Sequence, residues 1–347
     1  MGSIEYGAKQ VIENCMKIKS NEKLAIITDR ETLEISDAIF RAAEKRTGTI
    51  EYFVLEEFGE RPEDGINPLE CPNEILEALN RVDASIYCAQ GKKNEFHSLR
   101  NPMLKLIDER GERGEIRHGH MPGISKEIME TGMSADYDEI QRIGKKVYNI
   151  VKDAKEIKVT TKKGTDITAK FERRGSPKLK WINCDGDIGA RGKIWSNLPD
   201  GEVFTSPRYI TGHVVIDGCL GDYFQKYGDI EKTPMEIDIK RGRIVKGSVK
   251  CSNKKLENEL NQYIFETDKN SNRIGEFAIG TNIGLSKIIG NLLQDEKFPG
   301  VHIAWGSPYP NETGATWDSK AHCDGVIRNT TIVVDGKTIM ERGKYLI

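Results

Sequence analysis

The chain has 347 residues, 31% of them charged, and a formal net charge of -2 from 52 Lys and Arg against 54 Asp and Glu. That length suggests about two domains and a substantial core, and the balanced charge provides no basic field to gather phosphates, which argues against a nucleic-acid partner. No stretch approaches the roughly 18 to 20 apolar residues that a membrane span needs, and the start MGSIEYGAKQ lacks the blocks of a secretory signal, so the expected location is the cytoplasm, with no membrane partner.

The first half alternates helix and strand signals. Ile4, Ala8, Val11, Ile12 and Cys15 fall at helical spacing, and the apolar run LAIIT (24–28) fits a buried strand. ETLEISDAIFRAAEKRTG predicts the next helix, stopping near Gly48. IEYFVL, PNEILEALNRV and ASIYCA repeat the cycle as strand, helix and strand. A fourth cycle runs from FHSLRNPMLKLIDERG to EIRHG, with Pro102 early in the helix or at a kink. This alternation predicts a mainly parallel sheet covered on both faces. Two more helices, around ISKEIMETG and DYDEIQRIGKKVYNIVKDA, lead away from it.

Near residue 155 the pattern changes. EIKVTTKKGTDITAKFE, MEIDIKRGRIVKGSVK and TTIVVDGKTIMERG read as hairpins, the last with an Asp-Gly turn. SNKKLENELNQYIF predicts a helix with Ser252 as N-cap, and LSKIIGNLL another, with Leu285, Ile288, Ile289, Leu292 and Leu293 on one stripe. The expected organisation is an α/β domain over residues 1–153 and a mixed, strand-rich α+β domain over 154–347.

Seven cysteines without a CxxC pair speak against a disulfide framework and a thiolate zinc site, and predict free thiols. Neither GxGxxG nor GxxxxGK[ST] occurs, so the parallel sheet lacks a phosphate cradle. His118 and His120 in EIRHGHMPG read as structural or surface groups.

In the second half, carboxylates and imidazoles recur at the edges of strand and turn signals. Glu202 follows the turn Pro199-Asp200-Gly201, Glu276 follows Gly275, and His302 opens the strand Val301 to Trp305 after Pro299-Gly300. His322 and Asp324, two residues apart on a predicted strand, share a face while Cys323 turns away. Each alone fits a solvated residue or a surface hydrogen bond. Together, three carboxylates and two imidazoles suffice for one or two divalent metals of zinc, cobalt or manganese type, and the lack of thiolates points to a catalytic site.

The segments NLPDGEVFTSP, GEFAIGTN, HIAWG followed by Tyr309, and AHCDG resemble the thermophilic-aminopeptidase family of metallopeptidases (M29, aminopeptidase T-like). The resemblance is concentrated in residues 197–326. It implies a Rossmann-like N-terminal parallel-sheet domain followed by a mixed metal-binding domain, and a homodimeric metallo-aminopeptidase that acts on short peptides or aminoacyl substrates. Residue by residue, Glu202, Glu276, His302, His322 and Asp324 match the family's metal ligands and Tyr309 its site tyrosine. Glu276 would bridge two ions and share the catalytic role with Tyr309. The interval between His302 and His322 is shorter than in larger members, so the resemblance carries over the ligand set and not the substrate pocket or its specificity. Two divalent ions about 3.5 to 4 Å apart can share a water, lower its pKa toward neutrality and direct it at a peptide carbonyl.

A rival keeps this scaffold: a ring-cleaving dioxygenase resembling 2,5-dihydroxypyridine dioxygenase, with one Fe(II) on two His and one carboxylate. Retention of both Glu202 and Glu276 favours the dinuclear peptidase. A binding protein with a purely structural metal is disfavoured, since structural zinc takes Cys-rich shells.

Overall fold

The computed structural model describes residues 2–172, 179–189 and 194–347. The chain forms two compact units, Met1–Asp138 with Gly186–Asp200, and Glu139–Asp185 with Gly201–Ile347. In chain order the first elements are α1 (Ile4–Lys9), β1 (Lys23–Thr28), α2 (Leu33–Glu44), β2 (Thr49–Val54), α3 (Asn73–Leu79), β3 (Ala84–Cys88), α4 (Asn101–Gly111), β4 (Arg117–His120), α5 (Lys126–Glu130) and α6 (Tyr137–Val151). Then follow β5 (Glu156–Thr160), β6 (Asp166–Lys170), β7 (Ile182–Cys184), β8 (Trp195–Asn197), β9 (Glu202–Thr205), β10 (Tyr209–Ile216), β11 (Met235–Lys240), β12 (Arg243–Ile244) and α7 (Lys254–Glu266). The last are β13 (Ile274–Gly280), α8 (Leu292–Asp295), β14 (Gly300–Gly306), α9 (Pro310–Thr313), β15 (His322–Ile327), β16 (Thr331–Val334), β17 (Lys337–Glu341) and β18 (Lys344–Tyr345).

The first unit holds the expected parallel sheet, in the order β2-β1-β3-β4-β8. Its buried strands read as continuous apolar runs because helices cover both faces. Pro102 stands in the first turn of α4, directly after a π-turn over Phe96–Arg100, so it removes no hydrogen bond from a helix interior. Strand order reverses between β1 and β3, the place where open α/β sheets commonly bind nucleotides. Here Arg61 fills that end, donating to Asp29 at 2.7 Å, to both oxygens of Glu95 at 2.9 and 2.7 Å, and to the Gln90 carbonyl at 2.6 Å. A buried guanidinium therefore stands where a phosphate would have to enter.

His118 and His120 lie on β4 and are buried, so of the two readings open in the sequence the structural one holds. Ser85 Oγ lies 2.8 Å from His118 Nδ1, and His118 Nε2 lies 3.0 Å from His120 Nδ1. Burial pulls the His118 pKa down to about 3 and that of His120 well below its ordinary value, so both rings are neutral. The His118→Ala variant should lose about 1–3 kcal/mol of stability by leaving Ser85 and His120 unsatisfied, while its metal content, measured by elemental analysis, stays at the wild-type level.

The second unit contains two antiparallel sheets, β12-β11-β10-β6-β5-β16-β17-β18 and β15-β14-β13-β9-β7. The three expected hairpins form as β5–β6, β11–β12 and β16–β17. The Asp335-Gly336 pair has positive φ at both residues (44° and 87°), as a tight hairpin with the native strand twist requires. One continuous core takes Ile157, Val159, Ile210 and Ile237 from the larger sheet, Phe277, Ile303 and Trp305 from the smaller, and Leu256, Leu260 and Ile264 from α7.

Two expectations for this half are corrected. The α7 N-cap is Asn253, whose side chain accepts from Leu256 N at 3.2 Å, and not Ser252. LSKIIGNLL is not one helix: residues 285–291 are irregular and only Leu292–Asp295 is helical. Gly290 at φ 80° breaks the helical path, and the Asp295 carboxylate captures the amides of Ile289 and Gly290 at 3.0 and 2.7 Å. The apolar residues of this segment still pack inward, with Leu285, Ile288 and Leu293 buried, which explains why their spacing looked helical.

Candidate metal centre

The smaller sheet has two faces of opposite character, produced by the period-2 alternation of its strands. On β14, Val301, Ile303 and Trp305 enter the core, while His302 and Ala304 face the other way. Register then builds the site. His302 pairs with Ala278 on one side and Val326 on the other, and Ala304 pairs with both Glu276 and Asp324. His322 pairs with Gly306, and Glu202 pairs with Gly280. Cross-strand partners share a face, so Glu202, Glu276, His302, His322 and Asp324 converge there, separated by alanine and glycine that leave room between them. Cys323, on the opposite face, joins the core.

A bulge between Ile274 and Glu276 tunes the position of Glu276. It requires Gly275, where a Cβ would lie 2.3 Å from the Gly306 carbonyl oxygen.

The separations fit coordination better than hydrogen bonding. His302 Nε2 is 3.3 Å from Glu202 Oε2, 3.5 Å from Glu276 Oε1 and 3.9 Å from Asp324 Oδ1. His322 Nε2 is 3.8 Å from Glu276 Oε2 and 3.5 Å from Asp324 Oδ2. Two ligands on one tetrahedral ion with bonds of about 2.1 Å stand roughly 3.4 Å apart. Glu202 Oε2 and His302 Nδ1 are buried without a hydrogen-bond partner, the former facing the middle of the cluster. The cluster thus supplies two overlapping triads, Glu202–Glu276–His302 and Glu276–His322–Asp324, with Glu276 common to both. The residues present fit one or two divalent cations.

Neighbouring groups orient the donors. His322 Nδ1 lies 3.0 Å from the Ser307 carbonyl, which can only accept, so Nδ1 keeps its proton and Nε2 is the nitrogen that would give up its proton to bind a metal. The backbone of His322 is held by Tyr263 of α7, whose hydroxyl accepts from its amide at 3.0 Å and donates to its carbonyl at 3.2 Å. Tyr309, at φ 51°, puts its hydroxyl 3.0 Å from His322 Nε2 and packs edge-on against Phe204.

Three contributors were not read from the sequence: Tyr263, Glu296 and Lys297. Lys297 is 2% exposed and donates at 2.7 Å to Glu202 Oε1 and at 2.7 Å to Glu296 Oε1. The signal for the last two is the run DEKF just before the Pro-Gly turn of β14, which looks like a solvated charge cluster.

With neutral imidazoles, four carboxylates against one lysine would leave the cluster a negative surplus, and the metal-free groups offset it by holding protons. Burial alone would lower the histidines, but Glu276, Glu202 and Asp324 raise His302 to about 9. His322, likewise opposed by burial, is raised to about 10 by Asp324 and Glu276. Burial raises Glu276, and it raises Glu296 to about 7. Asp324 falls below the usual carboxylate range despite burial, because His322 and His302 stand beside it. Surplus negative charge of this kind is what a divalent cation neutralises.

A chain with a parallel α/β unit and a second unit whose antiparallel sheet carries a carboxylate and histidine cluster on one face belongs to the class of two-unit α/β proteins with a candidate metal centre. The pattern of the thermophilic metalloprotease family (M29) matches residues 128–345, more than half of the chain, and the protein belongs to that family. It is therefore a metal-dependent peptide hydrolase whose chemistry calls for a divalent metal. The match extends well beyond residues 197–326, where the sequence resemblance was concentrated. No curated protein sequence matches the chain. Among solved structures, 2,5-dihydroxypyridine dioxygenase from Pseudomonas putida KT2440 superposes with a TM-score of 0.68 at 16% identity, covering 99% of this chain and 96% of that one. Wild-type AmpT from Thermus thermophilus superposes with a TM-score of 0.66 at 16% identity, covering 99% of both chains. At such identity these likenesses concern the fold. Among the described residues, no helix is long and apolar enough to cross a membrane.

Proposed function

We propose that the protein is a dinuclear metallo-aminopeptidase that releases N-terminal residues from short peptides, with residues 154–347 as catalytic domain and 1–153 as α/β domain. The observation that supports this most is the placement of Glu276, whose Oε1 faces His302 at 3.5 Å and whose Oε2 faces His322 at 3.8 Å. One carboxylate oxygen toward each imidazole is the arrangement of a bridging ligand. In this reading Glu202 and His302 would hold one ion with Glu276, and His322 and Asp324, with or without Tyr309, would hold the other. Zinc, cobalt or manganese suit this oxygen and nitrogen set. Divalent ions held there supply a water acidic enough to attack at neutral pH and polarise the scissile carbonyl.

The chain's own groups do the rest. Lys297 holds one oxygen of Glu202 and leaves the other directed inward. The same ions would also take the substrate's free α-amine, which would select an N-terminal residue. If it is not bound to metal, Tyr309 at the rim is positioned to donate its proton toward the oxyanion that develops on the carbonyl. Glu276 or Glu202 relays the proton to the leaving amine. The same reading carries a homodimer in the cytoplasm.

Aminoacyl amides and N-blocked peptides, assayed with Zn(II), Co(II) and Mn(II), test it. Substrates with a free N-terminus should be cleaved and blocked ones spared, with close to two ions per chain by elemental analysis. Failure to cleave any free-N-terminus substrate sinks the proposal. One tightly held iron per chain, with oxygen uptake on a hydroxylated pyridine, would establish the dioxygenase reading instead.

A further inference from the structure

We propose, on the dinuclear reading, that Lys297 makes the two metal positions of the centre unequal. Its ammonium, fixed beside the Glu202–His302 position, weakens the ion held there and leaves the His322–Asp324 position as the tight one. Lysine is seldom fully buried, because an ammonium taken out of water carries a large desolvation penalty unless charged partners meet it. Lys297 is nevertheless enclosed, and its Nζ donates at 2.7 Å to each of Glu202 Oε1 and Glu296 Oε1.

The backbone delivers the ammonium to that place. The Lys297 amide donates to the Gln294 carbonyl at 2.9 Å, and the Lys297 carbonyl accepts from the Asn282 amide at 3.1 Å. Position 297 is thereby tied to α8 on one side and to the segment after β13 on the other. Gly280, which pairs with Glu202 in the sheet, permits this approach: a Cβ there would lie 2.0 Å from the Phe298 carbonyl oxygen and 2.8 Å from that of Lys297.

The two ends of the cluster differ in what stands behind them. Glu202 and Glu296 each belong to a donor group that includes His302, namely Glu202–Glu276–His302 and Glu296–His302–Asp324. The ammonium therefore bears on the His302 end. The other end is backed by neutral groups: the Tyr309 hydroxyl 3.0 Å from His322 Nε2, the Ser307 carbonyl 3.0 Å from its Nδ1, and the Tyr263 hydroxyl on its backbone. Against burial, Asp324 is held low first by His322 and then by His302, with Lys297 the weakest of the three.

A positive charge one hydrogen bond away from a ligand carboxylate opposes a divalent ion in two ways. It takes up part of the carboxylate's negative charge, and it repels the ion through an interior that screens poorly. Glu202 keeps one oxygen for the ion because Lys297 occupies the other. Without metal, the same ammonium neutralises Glu202 and Glu296, so it favours the empty position over the filled one. The consequence is a centre that keeps one ion and exchanges the other with the medium, so that turnover follows the supply of metal.

The test is a titration of the full-length, chelator-stripped protein with Zn(II) against a chromophoric zinc chelator of known affinity. Wild type should take two ions with dissociation constants at least about a hundredfold apart, and Lys297→Met should tighten the weaker step at least about tenfold while moving the tighter one less than about threefold. Lys297→Gln, a second neutral variant that keeps a hydrogen-bond donor, should do the same, and Lys297→Arg, which keeps the charge, should retain the wild-type gap. Melting temperatures provide an independent readout. Stripped Lys297→Met should melt below stripped wild type, because Glu202 and Glu296 lose their counter-charge, and saturating zinc should close most of that difference. The proposal fails if the two wild-type steps are equally tight, if the neutral variants leave the weaker step unchanged or weaken it, or if they tighten both steps alike. A single ion per chain in wild type and variants would sink the dinuclear reading and this proposal with it, whereas two ions of equal affinity sink this proposal alone.

Discussion

Glu276→Gln should fold like the wild type, lose most of its bound metal and lower turnover by at least about a thousandfold, the several kcal/mol that metal-ion catalysis contributes. The substitution preserves shape in a strand that is buried throughout. Glutamine can still hydrogen-bond but cannot give a charged oxygen to each of two ions, so both triads lose their shared member. Circular dichroism, metal counting and hydrolysis of an aminoacyl amide read the three effects separately. Wild-type rates with full metal in this variant would remove Glu276 from the centre.

Chelation should abolish activity and make stability depend on pH in a definite direction. In the metal-free protein His302 and His322 are raised from 6.5 to about 9 and about 10, so the folded state binds their protons more tightly than the unfolded chain does. That contribution is fully present below about pH 6.5 and is lost as pH rises through 9 to 10. The melting temperature of the chelated protein should therefore fall between pH 6.5 and 10, by on the order of 5 °C. In the loaded protein the metal displaces those protons, so the slope should flatten and the gap between the two forms should widen with pH. Calorimetric titration with zinc in buffers of different ionisation heat should register proton release near pH 7. A metal-free protein whose stability is flat across this window would show that the two imidazoles do not share one acidic cluster.

The distribution of these groups explains what could be read in advance. HCDG carries the two-residue alternation openly, so His322 and Asp324 share one face of their strand before any sheet is known. Glu202, Glu276 and His302 stand at strand starts after turn residues, and only the family resemblance joins them to that pair as ligands. Lys297 was not legible, because its partner Glu202 lies 95 residues away and its neighbours Asp295 and Glu296 look solvated. Tyr263 was hidden for the same reason: its period places it on α7, but only packing directs its hydroxyl to the backbone of His322, 59 residues on. In LSKIIGNLL the apolar spacing was real and the helix was not, since helical spacing reports which side chains are buried and not the path of the backbone between them.

Local pattern by itself determined most of the element types, the parallel sheet of the first half and the hairpins of the second. Those follow from periodicity and turn chemistry, which act over a few residues. Tertiary structure alone decided that Glu276 faces one imidazole with each oxygen, that Lys297 is drawn in to hold Glu202, and that Arg61 closes the nucleotide end of the parallel sheet. Register, burial and charge matching between segments far apart in the chain set those outcomes, and short-range propensity carries no trace of them.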